Sequence, residues 1–361
     1  MSTRYGSWIG IFCFSLTSGF AQQNGPAAVV PLGGADRRIT LDVVVTDKSG
    51  RPIPGLQQQD FTLLDDKRPE KILSFRAVEG AAAREDQPVE VILLVDEVNT
   101  SFSRVATERD QIEKFLRQNG GKLARPVSMM FVSDLGTKIE ETPSQDGNAL
   151  AADLSRKWTG LRTVNRSQGI YGVDERVKLS LKALQQLVDY EGPRPGRKLV
   201  VWISPGWPFL SGPGADLQMT AKRQQGIFSS IVGFSDALRS ARITLYAVDP
   251  LGVEDAAGFQ TSRYRDFLKP VKAEGQAQNG NMALQVLASQ SGGLVINSSN
   301  DVAGEIATCV ADANAFYVLS FDRPAADGPN EYHALDIKIG KPGLAARTRS
   351  GYYAQPEPRR Q

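Results

Sequence analysis

The sequence predicts an α/β protein: a doubly wound, mainly parallel sheet inserted into a small β-sandwich made from strands at both ends of the chain. Three observations carry this. Short and almost wholly apolar runs lie at 89–95 (V-E-V-I-L-L-V), 127–132 (V-S-M-M-F-V), 198–204 (K-L-V-V-W-I-S) and 242–249 (R-I-T-L-Y-A-V-D). They suit strands buried on both faces, as in a parallel sheet covered by helices. Stretches with helical periodicity lie between them, and such alternation implies right-handed crossovers. Outside about 88–312 the pattern reverts to short strands separated by Gly, Pro and Asp turns.

Taken in order, residues 1–21 form an expected signal peptide. Arg4 supplies the positive region, 8–14 (W-I-G-I-F-C-F) the apolar core, and Gly19-Phe20-Ala21 the small residues at a cleavage site. The apolar core is shorter than the roughly 20 residues that span a bilayer. The mature chain is therefore expected to be exported, periplasmic or secreted, with no membrane-spanning segment. A Gly, Pro and Ala-rich leader covers 22–37, and 38–80 reads as three strands: I-T-L-D-V-V-V-T, D-F-T-L-L-D-D and K-I-L-S-F-R-A-V. Three such strands bury too little alone. They are expected to pair with three more at 313–353 (A-F-Y-V-L-S-F, Y-H-A-L-D-I-K-I and A-R-T-R-S-G-Y-Y) as a six-stranded sandwich, leaving a tail at 354–361.

Within 88–312, Val105, Ile112, Phe115 and Leu116 mark one helix face, and Val177, Leu181, Leu184 and Val188 another. Helices are also expected at 148–161, around Ile227, Ile231, Phe234 and Leu238, at 281–290 and at 302–314, with an edge strand at 137–142 and a last short strand at 293–296. Residues 252–280 show no period and read as a surface excursion.

Composition excludes several functions. A net charge of +2 with no basic run argues against nucleic-acid capture. Without the leader, Cys309 is the one cysteine, which removes disulfides and cysteine zinc sites and suits a small buried residue. The one histidine, His333, lies in a strand-like stretch with no nucleophile elbow in the chain. The acid pairs Asp65-Asp66 and Glu140-Glu141 fall in turn or edge segments and read as solvated surface. The glycine-rich phrases lack the strand–glycine–helix order of a nucleotide loop.

The strand at 89–96 ends in a burst of oxygen-bearing side chains: Asp96, Glu97, Asn99, Thr100 and Ser101. The carboxyl ends of strands are where open α/β sheets bind ligands. Two readings compete there. Asp96 and Thr100 hold Mg²⁺ or Ca²⁺ weakly, or they cap the following helix. Phe102, Tyr171, Trp207 and Phe209 fall in loops expected at the same rim and, with Glu97 and Asn99, make an expected partner-binding surface.

In order along the chain, V-V-V-T-D-K-S-G-R-P-I-P-G-L-Q-Q-Q-D-F-T-L-L-D-D, V-I-L-L-V-D-E-V-N-T-S-F, F-V-S-D, K-L-V-V-W-I-S-P-G, L-A-S-Q-S-G-G, F-Y-V-L-S-F and R-S-G-Y-Y resemble the von Willebrand factor type A proteins. The match is to their secreted type A-related family of acidobacteria, and it spans about 39–353. The resemblance implies a metal site of pattern D-x-S-x-S, a threonine from a second loop, and an aspartate after the fourth strand. Asp96 and Thr100 match that pattern, but Val98 replaces the middle serine and Ser204-Pro205-Gly206 the final phrase. Thr163, Ser167 and Gln168 are alternative second-loop ligands. The implied function is an exported, non-enzymatic module that binds protein partners through the rim, its metal site degenerate. The alternatives are an envelope scaffold or assembly factor acting through the sandwich, and, least favoured, a metal-assisted hydrolase.

Overall fold

Alternation along the first strand sets the architecture. In the computed structural model, which describes residues 37–79, 88–100, 102–140, 142–158, 170–210, 219–250, 263–297 and 299–356, β1 (Arg38–Thr46) buries Ile39, Leu41, Val43 and Val45 on one face. β2 (Phe61–Asp65), β3 (Arg68–Glu70) and β4 (Ser74–Glu79) follow. The chain then enters the α/β part with β5 (Val89–Asp96), α1 (Phe102–Leu116), β6 (Lys122–Ser133), β7 (Gly136–Ile139) and β8 (Ser144–Asp146). It continues through α2 (Gly147–Trp158), α3 (Ile170–Glu191), β9 (Arg197–Ile203), α4 (Ala221–Ser240) and β10 (Ile243–Val248). α5 (Leu284–Gln290), β11 (Val295–Ile296) and α6 (Val302–Ala311) close it. Four strands end the described chain: β12 (Ala315–Asp322), β13 (Glu331–Ile339), β14 (Ala345–Arg347) and β15 (Gly351–Ala354).

The large sheet runs β11-β10-β9-β5-β6-β7, parallel except at the β6 edge, where β7 and β8 both pair with β6 antiparallel. β5 is central and buried on both sides, which explains its unbroken apolar run. Val91, Leu93 and Val95 face a core shared with α1, α2 and α6; Ile92 and Leu94 face one shared with α3, α4 and α5. The chain turns outward in opposite directions from β5, so β5 and β9 flank the switch point, and their carboxyl ends open on one crevice.

The flanking strands form two four-stranded sheets, β14-β1-β12-β4 and β15-β13-β2-β3, around one core. The expected six strands become eight for two reasons. Asp66 and Lys67 sit at φ 45° and 69°, making a tight turn that adds β3 as a hairpin arm. A-R-T-R-S-G-Y-Y breaks into β14 and β15, which belong to different sheets. Glu79 at the end of β4 pairs with Ala315 at the start of β12. The chain therefore leaves the sandwich and re-enters it at neighbouring residues, and the α/β part can be inserted without stretching either strand.

Both sheets also touch the α/β part. Phe316 and Val318 join one of its cores, and Tyr332 and Tyr353 the other. Arg242 bonds Asp42 of β1 at 2.5 Å, while Asp312 accepts from Arg347 at 2.6 Å and Tyr246 at 2.7 Å. The S-G-G phrase serves close approach: a Cβ at Gly293 would lie 1.6 Å from the Leu245 carbonyl. Cys309 is fully buried, as its apolar surroundings predict. The excursion expected at 252–280 is only partly that. Residues 263–280 carry short 3-10 turns and bury Val271 and Ala277, while 251–262 lie outside the described residues.

Candidate functional site at the carboxyl end of the sheet

Asp96 ends β5 with no exposed surface and gathers five donors. Its Oδ1 accepts from the Val98 and Asn99 amides at 3.0 and 3.1 Å. Its Oδ2 accepts from Asn99 Nδ2 at 2.8 Å, Trp202 Nε1 at 3.0 Å and Ser204 Oγ at 3.0 Å. Burial still outweighs these donors and raises its pKa. Asn99 also donates to Ser180 Oγ of α3 at 2.9 Å, and Ser204 Oγ accepts from the Gly206 amide at 3.1 Å. One carboxylate thus ties β5, the turn after it, β9 and, through Asn99, α3.

Those bonds decide how the metal expectation fares. Mg²⁺ or Ca²⁺ needs six or more oxygen ligands with free lone pairs. Here Asp96 spends both oxygens on protein donors, Val98 is buried where the middle hydroxyl would stand, and Pro205 offers no ligating side chain. These residues do not fit such an ion. The capping alternative also changes form. Asp96 closes the turn at 97–99 rather than the helix end, and the buried Thr100 hydroxyl has no hydrogen-bond partner. Thr163, Ser167 and Gln168 lie outside the described residues.

Around Asp96 stand further acids. Glu97 is 3% exposed, its carboxylate oxygens have no hydrogen-bond partner, and its pKa is pushed up to about 7 by burial, Asp96 and Asp134. Glu108 of α1 is fully buried and unpartnered, and burial holds its carboxyl well above the usual range. The Thr100 hydroxyl opposes that shift from nearby without hydrogen-bond geometry, and Asp96, Glu97 and Asp249 reinforce it. Sequence reading passed over Glu108, yet the signal exists: it falls between Val105 and Ile112 on the apolar stripe of α1.

The expected partner-binding rim needs correction. Trp207 is 2% exposed and packs edge-on against Trp202, ring centroids 5.0 Å apart. Gly206, at φ 103°, turns the chain inward so that the indole enters the core. Glu97 is buried too, because the Glu97 amide bonds the Val132 carbonyl and draws the turn onto β6. Phe209 is half-buried against Leu210 and the α5 end of the core, and Asn99 is half-buried. The side chains of Phe102 and Tyr171 lie outside what is described. Sequence reading missed Leu135, 87% exposed in the β6–β7 turn at this same end of the sheet. A shallow recess lined by Ser204, Asp249, Gln285, Ile296 and Asn297 adjoins the crevice.

Fold and site together define a mixed α/β protein with a mostly parallel sheet, two antiparallel sheets and an acid-rich crevice at the switch point. No family model matches the chain, and no curated protein matches it. Among solved structures it is similar to a pilus adhesin, SpaC from Lactobacillus rhamnosus GG, at TM-score 0.36 and 8% identity, covering 82% of this chain and 48% of that one. It is similar to proximal thread matrix protein 1 of the mussel byssus at TM-score 0.33 and 13% identity, covering 63% and 48%. Human COPII-coat protein Sec24c gives TM-score 0.33 and 8% identity, covering 78% and 47%. The chain spans about half the length of each, and similarity this low carries no argument about family or function. Among the described residues no helix is long and apolar enough to cross a membrane.

Proposed function

We propose that the chain is an exported, non-enzymatic protein-binding module with a type A-like α/β domain, and that its crevice rim binds a protein partner without a metal ion. The type A reading draws on the sequence phrases and on two strands, β5 and β9, that lie side by side with Asp96 and Ser204 at their ends. The observation that carries the binding site is Leu135, a large apolar side chain 87% exposed on the rim. A side chain of this size in solvent supplies apolar area that a partner can bury. Asp134 precedes Leu135, and its charge reaches Glu97. Non-enzymatic action is supported by the placement of the one histidine, His333, in the sandwich strand β13 and away from these crevice residues.

The scaffold alternative is favoured by Leu73, 41% exposed between β3 and β4. Pull-down from the exported fraction with Leu135→Asp and, separately, Leu73→Asp distinguishes the two readings. Loss of partners only with Leu135→Asp supports the rim. Loss only with Leu73→Asp overturns it in favour of the sandwich.

A further inference from the structure

The end of the sandwich core holds a second polar cluster, unconnected with the crevice. The sequence places Asp65 and His333 268 residues apart, but β2 and β13 pair and bring them together. His333 Nδ1 lies 2.9 Å from Asp65 Oδ1 and 3.8 Å from Asp66 Oδ2, and ligand atoms of all three residues fall within 4.8 Å of one another. The expectation that Asp65 is solvated surface fails: it is 3% exposed, because β13 and β15 cover it. His333 is 7% exposed, and its Nε2 has no hydrogen-bond partner.

We propose that Asp65, Asp66 and His333 form a binding site for a divalent transition cation of the zinc type. Four observations support it. First, the spacings suit the ion. Ligands at about 2.0–2.2 Å from a tetrahedral zinc stand about 3.3 Å apart, between the 2.9 and 3.8 Å seen here. Second, each ligand is oriented from outside. Tyr352 donates to Asp65 Oδ2 at 2.5 Å, leaving Oδ1 toward the histidine. The Ala334 amide donates to Asp66 Oδ1 at 3.1 Å, leaving Oδ2. Glu331 Oε1 waits 3.8 Å from Nε2, where a metal-bound imidazole would direct its remaining N–H. The Tyr352 ring, stacked on the imidazole at 5.0 Å, fixes its plane.

Third, carboxylates crowd the imidazole. Asp65, Asp66 and Glu331 each bring an oxygen within 3.8 Å of a His333 ring nitrogen, and Arg323, whose field also reaches Tyr352, donates from Nη1 to the Gln355 carbonyl. Fourth, the site has an entry. The Asp66 side chain is 45% exposed, so a fourth position opens toward water. Imidazole with two carboxylates favours zinc-like ions over the hard, all-oxygen preference of Mg²⁺ or Ca²⁺. A bound ion would take the Nδ1 lone pair, leaving the proton of the neutral imidazole on Nε2, facing Glu331. The ion would then join the β2–β3 turn to β13.

The test uses the full mature chain stripped with a chelator. Calorimetric titration with Zn²⁺ and visible absorption of added Co²⁺ are expected to show one site per chain and a raised melting temperature on loading. Asp66→Asn keeps the acceptor for the Ala334 amide and lies in an exposed turn. It should weaken binding at least tenfold while the metal-free melting temperature stays unchanged. Glu331→Gln should weaken binding about tenfold. Absence of one-to-one binding below 0.1 mM Zn²⁺ overturns the site. So does binding that survives both Asp66→Asn and His333→Gln. If His333→Gln fails to fold, Asp66→Asn alone decides.

Discussion

Glu97→Gln should make the protein more stable, and by an amount that depends on pH. The side chain is 3% exposed with neither oxygen bonded, and its pKa is raised from an ordinary 4.5 to about 7 by burial and by Asp96 and Asp134. The folded state therefore holds the Glu97 proton more tightly than the unfolded state does. Below pH 4.5 both states are protonated and Glu97 costs nothing. As pH rises from 4.5 toward 7 the unfolded chain ionises first, and stability falls because the unfolded state binds fewer protons. Above 7 both are ionised and the loss is complete. At about 1.4 kcal/mol for each tenfold in proton affinity, the interval between 4.5 and 7 is worth about 3 kcal/mol. Glutamine keeps the shape and removes the charge. Urea unfolding of both proteins from pH 4.5 to 8 should give a difference that grows by about 3 kcal/mol at constant m-value, most of it between pH 5 and 7. A difference that stays flat over that range would refute the reasoning, because Glu97 would then ionise alike in both states.

Four further outcomes follow from packing, hydrogen bonding and strand pairing. Trp207→Ala should cost about 3–5 kcal/mol in urea unfolding, since the indole is buried against Trp202, whereas Leu135→Ser should change stability by less than about 0.5 kcal/mol. Trp202→Phe keeps most of the apolar volume but removes a donor from buried Asp96. It should cost about 1–3 kcal/mol, read from the same unfolding curves. Replacing 80–314 with a two-residue Asn-Gly turn should yield a cooperatively unfolding β protein by circular dichroism, because Glu79 and Ala315 already pair. It should be weaker than the parent, since Tyr332 and Tyr353 lose their partners in the α/β core.

The strands of the large sheet were legible because burial on both faces writes itself into sequence as an unbroken apolar run, as in Ile92 to Val95. The helices were legible from stripes such as Val105, Ile112 and Phe115. Trp207 was not, because one aromatic in a loop carries no period; only the turn at Gly206 sends it inward. The eight-stranded sandwich was partly legible: alternation gives strands, but which sheet a strand joins depends on turns such as Asp66-Lys67. The Asp65–His333 pair was hidden in principle, since neither residue has a local neighbour that announces the other. Leu135 was hidden for the opposite reason, as a lone apolar residue in a short turn reads the same whether exposed or tucked in.

Asp96 shows how a buried carboxylate can join two strand ends at a switch point through hydrogen bonds alone. A hard ion at a switch point would hold together the ends of the two flanking strands and the turn between them. Here the Trp202 indole N–H and Ser204 hydroxyl reach Asp96 from β9 while Asn99 and two backbone amides reach it from the turn. Five donors do the joining, and they release no positive charge to offset the neighbouring acids. That leaves Glu97 and Glu108 raised in pKa and without hydrogen-bond partners. The crevice is thus held rigid by bonds that chelators cannot remove. On this reasoning a partner bound at the Leu135 rim stays bound in chelator, and sensitivity to metal belongs to the sandwich, where His333 Nε2 has no hydrogen-bond partner.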